Sequence, residues 1–166
     1  MLPEPLQNHP TSAALEAGLP GAILGGRPDR AEITLEIAPD RIVEACRFLK
    51  DDRQFNRLSS VTAVDRFPQE PRFEVVYHLH SIGRNERLRL KCRLPGESPE
   101  LDSVTGVWRS ADWYEREVFD LFGVRFRNHP DLRRLLLPED WEGHPLRKDY
   151  PVQGPRYGYA GDGVIE

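Results

Sequence analysis

Two histidines and two aspartates near the C-terminus of this 166-residue chain are the residues best suited to metal binding or proton transfer: His129, Asp131, His144 and Asp149. Imidazole and carboxylate groups ligate zinc and act as acids and bases in hydrolases. Their spacing contains no pair four residues apart, which a compact metal-binding helix motif requires. A stand-alone metal-dependent hydrolase is therefore an alternative that the sequence leaves open but does not favour.

A second histidine pair and two cysteines give weaker indications. His78 and His80 lie on one face of a predicted strand, which suits either a metal site or an inter-strand surface pair. The surface pair is favoured because no acidic or cysteine cluster is near in sequence. Cys46 and Cys92 are too few to hold an iron–sulfur cluster, which normally takes four ligands. Cys46 lies on an apolar helical stripe and is predicted to be a core residue.

The residues around Glu115 predict a helix that begins near Ser110 and ends at Gly123, because glycine suits the left-handed position just past a helix end. At about 100° per residue, one face of this helix is apolar. It carries Ala111, Tyr114, Val118, Leu121 and Phe122. The other face is charged and carries Asp112, Arg116, Glu117 and Asp120. Glu115 within the apolar face and Trp113 among the charges break this pattern.

Both exceptions predict specific contacts. A carboxylate in a buried stripe is costly unless it is paired and hydrogen-bonded. Glu115 is therefore expected to reach either an arginine or a backbone N–H of its own domain, or an arginine of a partner. Trp113 is either a ring lying on a charged surface or an interface anchor. The anchor is favoured because tryptophan is enriched at interface hot spots.

Composition excludes several classes of protein. The length predicts one domain with a real core. The net charge of −4 and the pI of about 5.8 do not suggest a nucleic-acid-binding surface. No apolar run approaches the roughly 18 residues of a membrane span, so the chain is not expected to cross a membrane directly.

Hydrophobic periodicity predicts four strands and two main helices between residues 31 and 123. The strands are placed at residues 32–37, 58–67, 73–80 and 87–94, and the first helix at 40–51. The order β-α-β-β-β-α predicts a two-layer α+β domain, with a four-stranded mixed sheet and helices on one face. Residues 1–30, rich in proline and glycine, are predicted to be an extended N-terminal arm, and residues 152–166 a flexible tail.

The fourth predicted strand presents four cations on its outer face: Arg87, Arg89, Lys91 and Arg93. Such a row protects an exposed sheet surface or edge against aggregation. That interpretation is favoured over its alternative, a basic stripe that binds an acidic partner.

Residues 124–151 form a C-terminal arm without regular periodicity, in which four prolines prevent a long helix. A segment of this length is either disordered or lies on another surface. Disordered segments are usually poor in bulky apolar residues. This one contains Leu135–Leu137 and Trp141. The arm is therefore predicted to drape over a partner.

Three blocks in this region closely resemble the signature of a known family. They are residues 115–123 (EREVFDLFG), 129–134 (HPDLRR) and 144–151 (HPLRKDYP). Residues 58–65, 72–77 and 103–108 are similar to the same family upstream. The family is the C-subunit family of respiratory NADH:quinone oxidoreductase, complex I, and the resemblance covers roughly residues 30–151.

The resemblance implies a non-catalytic subunit of the peripheral arm, at the cytoplasmic face of the bacterial inner membrane. It implies no flavin, iron–sulfur cluster or catalytic residue on this chain; FMN, iron–sulfur clusters and quinone are expected on partner subunits. It implies as partners the large quinone-site subunit and the neighbouring iron–sulfur subunit. The whole complex transfers electrons from NADH to quinone and couples this transfer to proton translocation.

The resemblance also implies which residues form the family motif and the partner interface. They are Trp113, Glu115, Arg116, Glu117, Asp120, His129, Pro130, Arg133, Arg134, His144, Pro145, Leu146, Arg147, Lys148, Asp149 and Tyr150. An equivalent subunit of a related membrane-bound hydrogenase, or of another quinone-linked dehydrogenase, is an alternative host for the same motif.

Overall fold

A five-stranded mixed sheet with helices against one face is the framework of the computed structural model, which describes residues 4–30 and 32–151. The helices are α1 (Glu4–Gln7), α2 (Pro10–Gly18), α3 (Ile42–Asp51) and α4 (Ala111–Phe122). The strands are β1 (Ile23–Asp29), β2 (Glu32–Ile37), β3 (Arg57–Asp65), β4 (Phe73–Ser81), β5 (Glu86–Leu94), β6 (Glu100–Asp102) and β7 (Arg125–Arg127). The predicted mixed α+β fold is confirmed.

The strands of the large sheet run in the order β1-β2-β5-β4-β3. β2 and β5 are parallel, with Ile33 opposite Leu88, and the other neighbours are antiparallel. The connection through α3 therefore carries the chain from β2 past two strands to the far edge at β3. β6 and β7 form a separate two-stranded parallel sheet, with Leu101 opposite Phe126.

The N-terminal residues differ from the prediction of an extended arm. They form α1, α2 and the fifth strand of the sheet, and Leu6 and Leu15 are fully buried in the core. Glycines and Pro28 within β1 concealed the strand, since such residues are tolerated at a sheet edge. At Gly26 the backbones approach so closely that an added Cβ would lie 2.4 Å from the carbonyl oxygen of Thr34. The predicted tail at 152–166 lies outside the described residues.

The core lies between the sheet and the helices. Alternate residues of the three long strands point into it, among them Tyr77 and Leu90. Cys46 and Cys92 are both buried there as free thiols, so the core assignment of Cys46 is confirmed. Burial raises the pKa of the Cys46 thiol well above its ordinary value.

The opposite face of the sheet carries inter-strand ion pairs. Arg89 lies 3.3 Å from Glu32, Lys91 2.7 Å from Glu74, and Arg93 2.9 Å from Glu36. The cations of β5 are thus mostly neutralised within the sheet.

His78 also makes inter-strand contacts on this face. Its Nδ1 lies 3.0 Å from Ser60 Oγ, and its Nε2 accepts a hydrogen bond from Arg89 at 3.2 Å. Burial lowers the pKa of His78, and the charge of Arg89 lowers it further. The favoured surface-pair interpretation of this histidine agrees with these contacts.

Candidate functional site

Helix α4 carries the first motif block and forms the base of the candidate site. It ends at Gly123, whose φ of 73° is left-handed as predicted. Ala111 and Val118 are buried against the core, and the Tyr114 hydroxyl donates to the Ser59 carbonyl at 2.9 Å. The helix is therefore fixed against the edge strand β3 by its predicted apolar face.

Glu115 is fully buried and bonded to groups of its own domain. Its Oε2 accepts a hydrogen bond from Ser103 Oγ at 2.6 Å, and its Oε1 accepts one from the Val104 backbone N–H at 2.8 Å. Burial raises the pKa of Glu115 to about 7, although both hydrogen bonds favour the ionised form. The backbone N–H alternative is the one that the structure shows; no arginine of a partner is required.

His129 reaches the same carboxylate from the C-terminal arm. Its Nδ1 accepts the backbone N–H of Asp131 at 3.0 Å, so Nε2 carries the proton in the neutral ring. Nε2 lies 3.3 Å from the Asp112 carbonyl oxygen and 3.9 Å from Glu115 Oε2. The side chain of His129 is completely enclosed. It joins the arm to the first turns of α4.

Asp120 is fully buried, although the helical wheel places it on the polar face. Its Oδ2 accepts three consecutive backbone N–H groups, of Leu135–Leu137, at 3.1, 2.7 and 2.9 Å. Its Oδ1 accepts a hydrogen bond from Arg134 at 2.7 Å. Burial raises the pKa of this carboxyl, but these hydrogen bonds outweigh burial, and the net direction is down.

Arg116 is the second residue of the polar face that is buried. Its guanidinium donates to the carbonyl oxygens of Arg133 and Arg134, each at 3.3 Å. It also lies over the Trp113 ring, 5.1 Å from the centroid. Arg116 and Asp120 lie on the charged face of the helix as predicted, but both are buried because the C-terminal arm covers that face. Glu117, on the same face, is exposed.

The carbonyls at the end of α4 receive donors from the third motif block. His144 Nδ1 lies 2.8 Å from the carbonyl oxygen of residue 120, and the Leu146 N–H donates to that of residue 121 at 3.1 Å. Arg147 Nε donates to that of residue 122 at 2.6 Å. The last carbonyls of a helix have no hydrogen-bond partner within the helix. A cation near these carbonyls also interacts favourably with the negative end of the helix dipole. The motif thus caps α4.

An ion-pair junction attaches the end of the arm to the sheet. Arg72 forms two hydrogen bonds with Asp65, at 2.9 and 2.8 Å, and two with Asp149, at 2.9 and 2.7 Å. The Lys148 backbone N–H also donates to Asp65 at 2.8 Å. The hydrogen bonds from Arg72 hold the pKa of both aspartates below the ordinary value. The charged groups of the junction are therefore paired with one another.

Arg72, Asp65 and Ser103 also belong to the site, although they are not among the residues that the motif indicated. Their signal was present, since all three lie in the upstream blocks that resemble the same family. Arg72 stands between Pro71 and a buried phenylalanine at the start of β4, a position where an unpaired charge would be costly. The partner that neutralises it, Asp149, is remote in sequence and could not be read from local pattern.

The outer surface of the helix and arm is partly apolar. Trp113 is 60% exposed, Leu136 62% and Leu146 50%. Of the remaining motif residues, Pro130, Arg133 and Lys148 are exposed, whereas Pro145 and Tyr150 are half-buried. Arg133 pairs with Asp131 at 2.8 Å.

The hydrolase alternative is not supported by the geometry. His129 lies at the start of α4, His144 at its end and Asp149 beside Arg72, so the four candidate residues do not converge. Within residues 4–30 and 32–151, no three histidine, cysteine, aspartate or glutamate side chains are grouped to hold a metal ion. The same part of the chain has no helix long and apolar enough to cross a membrane.

Comparisons with known proteins agree with the motif. The family model described as "Respiratory-chain NADH dehydrogenase, 30 Kd subunit" matches residues 35–156. The NADH-quinone oxidoreductase C-subunit of Geobacter sulfurreducens is 51% identical over 150 residues, which are 90% of this chain and 93% of that protein. The protein of the same name from Roseiflexus sp. (strain RS-1) is 48% identical over 149 residues, 89% of this chain and 86% of that protein.

Two solved structures have the same fold. A trypsin-resistant fragment of Nqo5 is 33% identical with a TM-score of 0.60, covering 64% of this chain and 88% of the fragment. A chain of the membrane-bound sulfane sulfur reductase, an archaeal respiratory membrane complex, is 27% identical with a TM-score of 0.73, covering 84% of this chain and 83% of that one. The resemblance found in the sequence is thereby confirmed: this chain belongs to the family of the respiratory-chain NADH dehydrogenase 30 kDa subunit, which includes the C-subunit of NADH-quinone oxidoreductase.

Proposed function

We propose that this chain is the structural subunit that holds the large quinone-site subunit in a proton-translocating NADH:quinone oxidoreductase. The surface that would do so is the outer side of α4 and the C-terminal arm, at the cytoplasmic face of the membrane. The neighbouring iron–sulfur subunit would complete the contact. FMN, the iron–sulfur clusters and quinone would reside on those partners, and this chain would carry no active site.

The main support for this proposal is that α4 and the arm direct some side chains inward, into structural contacts, and others outward, toward a partner. Several charged groups of the motif, among them Asp120, Arg134 and Arg147, turn inward and hold the arm in one shape. The outward side of α4 and the arm presents Trp113, Leu136 and Leu146. Rigid positioning combined with exposed apolar side chains is what a docking surface needs. The inward charged groups are hydrogen-bonded within the chain. They therefore have a structural role and are not available to bind a substrate.

Substitutions of the exposed apolar residues test this function. We expect the variant Trp113→Ala/Leu136→Ser/Leu146→Ser to fold but to be lost from the membrane complex, as measured by native gels and NADH:quinone activity. Leu24→Ser, at a residue 67% exposed on β1, is the matched control and should assemble normally. Normal assembly of the triple variant would refute the proposed surface.

The likeness to the sulfane sulfur reductase chain supports a second candidate, an equivalent subunit in a related respiratory membrane complex. The two candidates differ in the electron donor and acceptor of the host complex, whereas the role of this chain is the same. Oxidation of NADH with quinone by the purified complex identifies the first candidate. Failure to oxidise NADH, with all subunits present, identifies the second.

A further inference from the structure

One row of basic residues on the open face of the sheet lacks the partners that the other rows have. Arg57 on β3 lies directly opposite His80 on β4, which lies directly opposite Arg87 on β5. Within the residues that the structure describes, none of the three side chains makes a hydrogen bond or ion pair, and His80 Nε2 is buried without a partner. The neighbouring rows, in contrast, pair each of Arg89, Lys91 and Arg93 with a glutamate.

The row places two guanidinium groups on the strands that flank β4, one on each side of His80. Side chains directly opposite one another on a sheet are about 4.5–5.5 Å apart at Cβ, so an anion above His80 would be within reach of both arginines. The chain as a whole carries a net charge of −4, so acidic residues are plentiful elsewhere. The carboxylate of Glu32 lines the same cavity as His80 and Arg87, but it is paired with Arg89 at 3.3 Å. Among the described residues, Arg57 and Arg87 therefore have no ion-pair partner, and an anion from outside the chain could pair with them.

An open groove of about 820 Å³ adjoins the basic row at Arg57. Its lining includes two further cations, Lys50 and Arg109, and the apolar side chains of Leu58, Val107 and Trp108. Among the described residues that line the groove, none is acidic. Ile82, at the same end of the sheet, is 59% exposed. The groove therefore offers apolar contact inside a positively charged rim.

We infer that this end of the sheet binds an acidic segment of a partner protein. Carboxylates of the segment would face Arg57, Arg87 and Arg109, and an apolar side chain would lie in the groove against Leu58. A small inorganic anion would satisfy the basic row but would leave the apolar groove and Ile82 unused. The inference goes beyond the proposed function, because none of these residues belongs to the motif on α4 and the C-terminal arm.

Peptide binding to the full chain tests the inference. The probe is a blocked seven-residue peptide of alternating glutamate and leucine, and the comparison peptide has glutamine in place of glutamate. We expect the acidic peptide to bind at about 0.15 M salt, and Arg57→Glu/Arg87→Glu to weaken it roughly tenfold or more, or about 1.4 kcal/mol. The matched control is Arg47→Glu/Arg125→Glu, which makes the same change in net charge at two exposed residues and should retain binding.

Several outcomes would overturn the inference. Equal binding of the glutamine peptide would show that charge is irrelevant, and equal weakening by the control variant would show a non-specific effect of net charge. Displacement of the acidic peptide by inorganic phosphate at equal concentration would indicate a small-anion site instead. Absence of binding by either peptide would also contradict it.

Crosslinking within the assembled complex provides a second test that does not depend on the probe. A photoreactive amino acid replaces Ile82, and the crosslinked peptides are identified by mass spectrometry. We expect adducts on a partner segment that carries several aspartates or glutamates. Adducts confined to segments without acidic residues, or no adduct at all, would overturn the inference, whereas the role proposed for α4 and the arm would stand.

Discussion

Arg72 and Asp149 join the start of β4 to the last described turn of the chain by two parallel hydrogen bonds, at 2.9 and 2.7 Å. The guanidinium lies 4.9 Å from the centroids of both the Phe67 and Phe73 rings. A planar cation enclosed in this way is held in one orientation. The C-terminal arm is therefore fixed to its own domain at its far end.

Removal of the Arg72 guanidinium should be strongly destabilising. Arg72→Met keeps much of the apolar stem but leaves the buried Asp65 carboxylate without its cation. We expect a loss of about 3–5 kcal/mol in the free energy of unfolding, measured by urea denaturation. Arg93→Met, which removes a half-exposed ion pair with Glu36, is the control and should cost no more than about 1 kcal/mol. Equal losses for both variants would contradict this account.

Asp120→Asn should release the C-terminal arm. The amide cannot supply a charged acceptor to three backbone N–H groups, and it places an N–H₂ group toward Arg134. We expect a loss of roughly 2–3 kcal/mol, together with faster amide exchange over residues 133–147 than over the sheet. Asp131→Asn, at an exposed pair with Arg133, should leave that exchange unchanged. Unchanged exchange in Asp120→Asn would refute the anchoring role.

Glu115→Gln should alter the pH dependence of stability. The pKa of Glu115 is raised to about 7 in the folded chain, so the folded state binds more protons than the unfolded state between about pH 4.5 and 7. The stabilisation from this group is present at low pH and is lost as pH rises through 7. Glutamine does not titrate, and its carbonyl oxygen can still accept the Val104 N–H.

The free energy of unfolding of Glu115→Gln relative to the native chain should therefore increase between pH 5 and pH 8, by up to about 3 kcal/mol. Urea denaturation at several pH values measures the difference. Glu117→Gln, at an exposed position of the same helix, should show no such trend. A constant difference across this range would contradict the raised pKa. Assembly and activity of the complex should survive the Glu115 substitution.

Truncation after Arg127 should destabilise the isolated chain. The truncation removes the donors that reach the last carbonyls of α4 and the backbone N–H groups bound to Asp120. We expect a loss of about 2 kcal/mol or more, equivalent to roughly 4–8 °C in Tm, measured by thermal unfolding. Truncation after Pro151, which keeps all these contacts, is the control. An unchanged Tm of the chain that ends at Arg127 would show that the arm contributes only to association.

The sequence by itself determined the features that depend on local periodicity. Alternation predicted β5, with Cys92 inside and its cations outside, and the 3.6-residue period predicted α4 and its end at Gly123. The burial of Glu115 followed from the same period. Such patterns are readable because side-chain direction repeats with the backbone, whichever element packs on it.

The tertiary structure alone decided which faces meet water. Periodicity places Asp120 and Arg116 on the charged face of α4, but it does not reveal that a later segment covers this face and buries both side chains. The N-terminal residues were predicted to be an extended arm because glycine and proline weaken the sequence pattern of an edge strand. The strand β1 is identified only by its pairing with β2 in the structure. Arg72 and Asp149 meet across 77 residues. Such a contact forms only when the whole chain has folded, and no local pattern of residues predicts it.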